Sequence, residues 1–200
     1  MTESGFQQLK EEILQKLHDG LDPRLTYHSI AHTKDVLQQA ERIAIAEKIS
    51  DGRLLLLIKI ASLFHDAGFL RAYKGHEEKS CEIMLENLDH QLFDHSELML
   101  MKDMIMATEL PQSPGTLPQM IICDADLDYL GRDDFEVISN GLKLEFFTYH
   151  IIQNEAEWDE LQVRFIENHL YFTATSIKER CLAKMRHLEK LKRKLIKQNP

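Results

Sequence analysis

The sequence predicts an all-α fold, a single-domain helical bundle, from three observations. Apolar residues recur at three- and four-residue spacing in almost every segment. No run alternates β-branched residues with the two-residue period of a half-buried strand. The helix-breaking residues fall between the periodic segments, most densely at Pro111, Pro114, Gly115 and Pro118.

Phe6, Leu9, Ile13, Leu14 and Leu17 mark a first amphipathic helix over residues 3–21, ended by Gly20 and Pro23. A loop then leads into a second helix that carries Val36, Leu37, Ala40, Ile43 and Ala44 and runs to Ile49. With that helix begun by His28, His28 and His32 stand four residues apart on one face. Asp51 and Gly52 break the chain before a buried helix over 54–64, whose apolar run only Lys59 interrupts; Gly68 follows as a stop. A polar loop over 71–76 precedes a helix from about Glu77 to Leu88, and another runs from near Ser96 to Thr108. Residues 120–131 read as a buried helix studded with carboxylates. Three more amphipathic helices are expected over 133–150, 155–173 and 176–196, with Asp133, Asn154 and Thr175 as starts.

Two hundred residues without a Pro-, Gly- or Ser-rich linker suit one domain, 1–200, with a motif-bearing core over about 25–131 and C-terminal helices over 133–197. The apolar run over 54–64 is too short to span a bilayer, and residues 1–20 lack an uninterrupted apolar signal core, so a cytoplasmic location without a membrane partner is expected. Cys81, Cys123 and Cys181 are odd in number and widely spaced, which fits reduced thiols. The methionines between Met99 and Met106 are expected to fill the core.

The net charge of −9 is unevenly spread, because residues 178–197 hold nine Lys or Arg against Glu179 and Glu189 alone. An acidic body does not favour broad binding to a phosphate backbone. A nucleic-acid partner would have to use the basic last helix, whose stripe of Leu182, Met185, Leu188, Leu191 and Leu195 is expected to pack on the bundle instead. Nothing in the sequence fixes the oligomeric state.

Four segments set side chains of metal-ligating type beside apolar sequence: His28 with His32, the His65-Asp66 pair, His76 with Glu77, and Asp124 with Asp126. Singly, each has a bland account. A helix-terminal His and Asp can cap and pair, two helical histidines can face solvent, and acids at a helix start complement its dipole. Asp124, Asp126 and Asp128 are harder to place, since close like charges in a core stay ionised only beside a cation or several hydrogen bonds. One divalent metal accounts for all four segments together.

In this order and spacing, the elements resemble the HD-domain superfamily of metal-dependent phosphohydrolases, whose signature is a His, a His-Asp pair and a distant Asp, all on helices. The resemblance spans Tyr27 to about Gly131, and Tyr27-His-Ser-Ile-Ala-His-Thr-Lys-Asp-Val is similar in particular to the cyclic-nucleotide phosphodiesterase form. It implies His32, His65, Asp66 and Asp126 as metal ligands. Ala125-Asp126-Leu127 matches the last element better than Cys123-Asp124-Ala125, and Asp124 stays open as a ligand or a neighbouring acceptor. It further implies Asp66 as a catalytic bridge or water-orienting group. His28 is either a proton donor to the departing oxygen or a helix-start histidine bonded to backbone.

His76 and Glu77 stand where members often place further site residues, including ligands for a second metal. Arg71 and Lys74 border the same loop and are candidate phosphate contacts or plain surface charge. Thr108 and Glu109 open the Pro-rich loop toward the pocket, whereas His95, His150 and His169 find no partner in the sequence. The implied chemistry is hydrolysis of a phosphoester or phosphoanhydride in a small phosphorylated substrate, a nucleotide or cyclic nucleotide, with one or two divalent ions drawn from Mn, Fe, Zn, Co, Ni and Mg. Two rivals remain: a non-catalytic HD-domain nucleotide sensor with a structural metal, and a helical interaction protein that uses its basic last helix.

Overall fold

The computed structural model describes residues 1–198; residues 199–200 of the expected domain lie outside the described residues. Among the described residues there are nine α-helices and no strand. The helices are α1 (Glu3–Gly20), α2 (Ile30–Ala46), α3 (Gly52–Phe64), α4 (His76–Asn87), α5 (His95–Met106), α6 (Leu117–Asp126), α7 (Phe135–Thr148), α8 (Glu155–Asn168) and α9 (Ala174–Gln198). Short 3-10 turns occupy Ala67–Leu70, His90–Leu92 and Asp128–Gly131. The all-α expectation holds, and no described helix is long and apolar enough to cross a membrane.

Local chemistry accounts for most of the helix starts. The side chains of Thr2, Asp51 and Asn154 each accept a backbone N–H of the turn they open. Asp94 and Glu97 form a reciprocal capping box at α5. At two boundaries that depart from the sequence reading, a distant partner is responsible. α2 begins at Ile30 and not at His28, because Ser29 is extended and the N–H groups of Tyr27 and His28 go to Glu145 of α7. α8 ends at Asn168 rather than near Thr173, because Asp124 of α6 takes the N–H groups of Phe172 and Thr173.

Helices α1 to α6 close around one apolar core, with Phe6, Ile13, Ile58, Phe64, Met84, Met101 and Ile105 almost fully buried. Lys59, inside the apolar run of α3, sets its ammonium 4.6 Å from the centre of the Phe6 ring and pairs with Glu3 and Glu41 at 3.4 and 3.3 Å. A second cluster, including Tyr27, Tyr129, Phe135, Ile166 and Tyr171, joins the C-terminal helices to the loop before α2. The three cysteines are free, as expected.

Between α3 and α4 the chain is locked by Ser80. Its hydroxyl donates to the carbonyl of His65 and accepts the N–H of Gly68 at 2.6 and 2.8 Å. Gly68 lies so close to α4 that a Cβ there would stand 1.8 Å from the carbonyl oxygen of His76. Backbone cannot yield as a flexible side chain would. A Gly68→Ala protein is expected to lose about 3 kcal/mol of stability, read as a lowered melting temperature.

Candidate metal centre

α3 ends at Phe64, and the next two residues turn the chain out of the core: His65 keeps a helical backbone, while Asp66 sits at φ −107°, ψ 5°. Both side chains are buried. His65 Nδ1 donates to the carbonyl of Ser62 at 2.9 Å, which leaves the Nε2 lone pair pointing inward in the neutral ring. α2 brings His32, whose Nε2 lies 3.4 Å from His65 Nε2. Asp66 Oδ2 lies 3.3 Å from His32 Nε2 and 3.2 Å from His65 Nε2. From the end of α6, Asp126 Oδ1 approaches the same two nitrogens at 3.2 and 3.7 Å.

Three donor atoms of mixed nitrogen and oxygen type, on His32, His65 and Asp66, therefore converge, Asp126 Oδ1 stands beside the two imidazoles, and Asp66 Oδ2 is enclosed without a hydrogen-bond partner. An ion about 2.1 Å from each ligand separates neighbouring donors by roughly 3.0 Å at a right angle and 3.4 Å at the tetrahedral angle. The observed separations fall around those values. His32, His65 and Asp66 form a group that could hold a metal ion.

Without a cation, protons must take its place. Burial disfavours the charged imidazole of His32, but the adjacent carboxylates of Asp126 and Asp66 outweigh it and raise its pKa to about 9. His65 is likewise pushed well above its usual value against burial, chiefly by Asp66. Burial pushes Asp66 and Asp126 up, yet the imidazoles hold Asp66 well below the carboxylate range and Asp126 at about 2. A cation held here would compete with the protons of the two imidazoles.

Asp66 also reaches a third histidine. Its Oδ1 lies 3.4 Å from His76 Nε2, which is 3.4 Å from Glu77 Oε1, and His76 Nδ1 is tied to the carbonyl of Tyr73 at 3.2 Å. His28, in the loop before α2, does not share a helical face with His32. Its Nδ1 meets Glu145 Oε1 at 2.5 Å, and its ring stacks on Phe69 with centroids 4.2 Å apart. Fully buried Glu145 accepts two more bonds on Oε2, from the N–H groups of Tyr27 and His28, and one on Oε1 from the hydroxyl of Tyr73 at 2.9 Å. Burial raises the Glu145 pKa, but the His28 and backbone bonds reverse the sign and hold it below normal.

The remaining sequence candidates divide. Lys74, Glu77, Thr108 and Glu109 line a cavity of about 1090 Å³ whose wall also carries His28, Asp66, His76 and Asp126. Arg71 stands apart from it, paired with Glu86 at 2.5 Å and with Glu82 at 3.4 Å, which α4 presents one turn apart on the same face. Asp124 also turns away from the histidines. It is fully buried and accepts from Phe172 N, Thr173 N and Thr173 Oγ1 at 2.9, 2.8 and 2.6 Å. Asp128 has a third solution, with Arg42 at 2.9 Å and Arg180 at 2.8 Å.

Sequence reasoning passed over Glu145, a lone acid between Leu144 and Phe146, and left His169 without a partner. His169 lines the cavity. Its Nδ1 lies 3.2 Å from Lys184 Nζ, so Nε2 carries the proton and is enclosed without an acceptor. Burial and then Lys184 lower its pKa to about 3. The unfolded chain takes up this proton near pH 6.5 and the folded one does not, so stability falls as pH drops from 6.5 toward 3. The stability advantage over a His169→Phe protein is expected to shrink by about 1.4 kcal/mol per pH unit across that window, measured by urea unfolding.

Comparison of the chain with protein-family models, curated proteins and solved structures found no match.

Proposed function

We propose that the protein is a metal-dependent phosphohydrolase of the HD-domain type that cleaves a phosphoester, with His32, His65, Asp66 and Asp126 holding a divalent cation. The observation that carries this reading is the enclosed, unpaired Asp66 Oδ2 set against two imidazole nitrogens, at least one of them tautomerically fixed to present its lone pair. Such a cluster is costly unless a positive charge sits among its members. The donor set suits Mn, Fe, Zn, Co or Ni, with Mg a weaker match. Asp66 Oδ1, His76 and Glu77 offer the place for a second ion.

A divalent cation bound here supplies Lewis-acid polarisation of the phosphoryl group and acidifies a water. The chain's own residues do the rest. Asp66 faces His32 and His65 with one oxygen and His76 with the other, so it orients whatever binds between them. Glu145 holds His28 by Nδ1, leaving Nε2 to give a proton to the departing oxygen.

The test is metal analysis of the purified protein, followed by hydrolysis assays on nucleoside monophosphates, triphosphates, cyclic nucleotides and simple phosphomonoesters. About one or two ions per chain, and turnover that a chelator abolishes and added metal restores, are expected. Absence of both metal and turnover across the panel would overturn the proposal. Glu145→Gln is expected to lower kcat about 10- to 100-fold with little change in KM. A merely structural role for Glu145 would instead lower the folded fraction and leave the kcat of the folded protein in place.

A further inference from the structure

We infer that the substrate carries a single phosphoryl group on a bulky apolar body, which the cavity beside the metal centre accepts. This rests on the phosphohydrolase reading and names its substrate class. The cavity, about 1090 Å³, is at the upper end of small-ligand sites and far larger than a phosphoryl group needs. Away from Asp66 and His76 its wall is built of Phe146, Tyr149, Trp158, Leu161, Phe165 and similar side chains. Leu110, Ile151 and Leu170, also on this wall, are 57%, 44% and 68% exposed. Single exposed apolar residues are ordinary, but three on the wall of one apolar cavity make a surface that an apolar ligand would cover.

Charge points the same way. Among the described residues, Lys74 and Arg164 are the only permanently cationic side chains on the wall, against Asp66, Glu77, Glu109 and Asp126. A metal ion's charge is largely matched by the acids that hold it, which leaves little to neutralise a polyphosphate chain. The amides on the wall that could read a ribose or a base are partly committed elsewhere, although Gln112 Oε1 is left without a partner. The amide nitrogens of Gln112, Gln162 and Asn168 already donate to Asp126, Ser139 and the carbonyl of Arg164. In the reaction, a water oxygen bonds to phosphorus, the ester P–O bond breaks, and the leaving alkoxide takes the His28 proton, giving the apolar alcohol and inorganic phosphate.

Trp158, the single tryptophan, lines the cavity and reports its occupancy. Quenching of its fluorescence in the Mn-loaded protein would be titrated with naphthylmethylphosphonate, decylphosphonate, methylphosphonate and a non-hydrolysable ATP analogue. At least one of the two apolar phosphonates is expected to bind about 100-fold tighter than methylphosphonate, the factor for three or four buried methylene equivalents. Whichever of the two binds tighter tells an aromatic body from an alkyl chain. Leu170→Glu, a change at an exposed position, is expected to weaken that probe at least tenfold and leave methylphosphonate unchanged. Equal affinities, or a preference for the ATP analogue, would overturn the inference. So would a Leu170→Glu protein that changes its sedimentation but not its probe affinities, since the wall would then belong to a contact between copies. If the binding order holds while no matching monophosphate is hydrolysed, the phosphohydrolase reading fails and the cavity's ligand class stands.

Discussion

Under the proposed phosphohydrolase function, an Asp66→Ala protein is expected to lose a bound divalent cation and at least about 1000-fold of phosphoester hydrolysis while keeping its helical circular dichroism. Asp66 is the one side chain that faces all three histidines of the cluster, with Oδ2 toward His32 and His65 and Oδ1 toward His76. Losing a group that only orients a ligand typically weakens metal binding about 10- to 100-fold, and losing a ligand itself should cost more. The fold survives because its main core, from Phe6 to Ala125, lies behind the cluster and does not depend on this carboxylate. Metal content by mass spectrometry and turnover on a phosphomonoester check both halves. An Asp66→Ala protein that retains metal and full activity would remove Asp66 from the centre.

Two residues upstream of Asp126, an Asp124→Ala change is expected to do the opposite, costing about 3–5 kcal/mol of stability in urea unfolding while the folded fraction keeps whatever cation the histidine centre binds. Asp124 is enclosed, and its three bonds go to Phe172 N, Thr173 N and Thr173 Oγ1. Thr173 Oγ1 in turn accepts Ser176 N, in the first turn of α9. Alanine would strand two backbone donors and release the start of α9 with them. Loss of metal without loss of stability would reverse the roles assigned to the two aspartates. Gly131 adds a second tie to the same helix, since a Cβ there would meet the Arg180 carbonyl oxygen at 2.5 Å.

Much of the bundle was legible from residue spacing. Each expected helix is present in order, because an apolar stripe every three to four residues is a local property of the chain. The misreadings sit where remote groups intervene. His28 was expected on the helix of His32, but Glu145, more than a hundred residues away, captures its backbone and ring. The expected helix over 155–173 stops at Asn168, because Asp124 captures the segment after it. Ser80, Glu145 and His169 gave no sequence signal, since each acts through a tertiary contact: with His65 and Gly68, with His28, and with Lys184.

The carboxylates between 124 and 128 divide the two kinds of information most clearly. The sequence determined that three acids in a buried segment need compensation, because desolvating a charge is costly whatever surrounds it. It also ranked Asp126 ahead of Asp124 for the histidine pair, though only through a family resemblance. The structure supplies the physical reason. Successive residues on a helix point about 100° apart, so residues two apart face nearly opposite ways. Asp124 turns to the segment before α9 and Asp126 to His32 and His65; beyond the helix end, Asp128 meets Arg42 and Arg180. Residue type and period are written in the chain, whereas the partner each side chain meets depends on which distant segment the folded chain brings to that face.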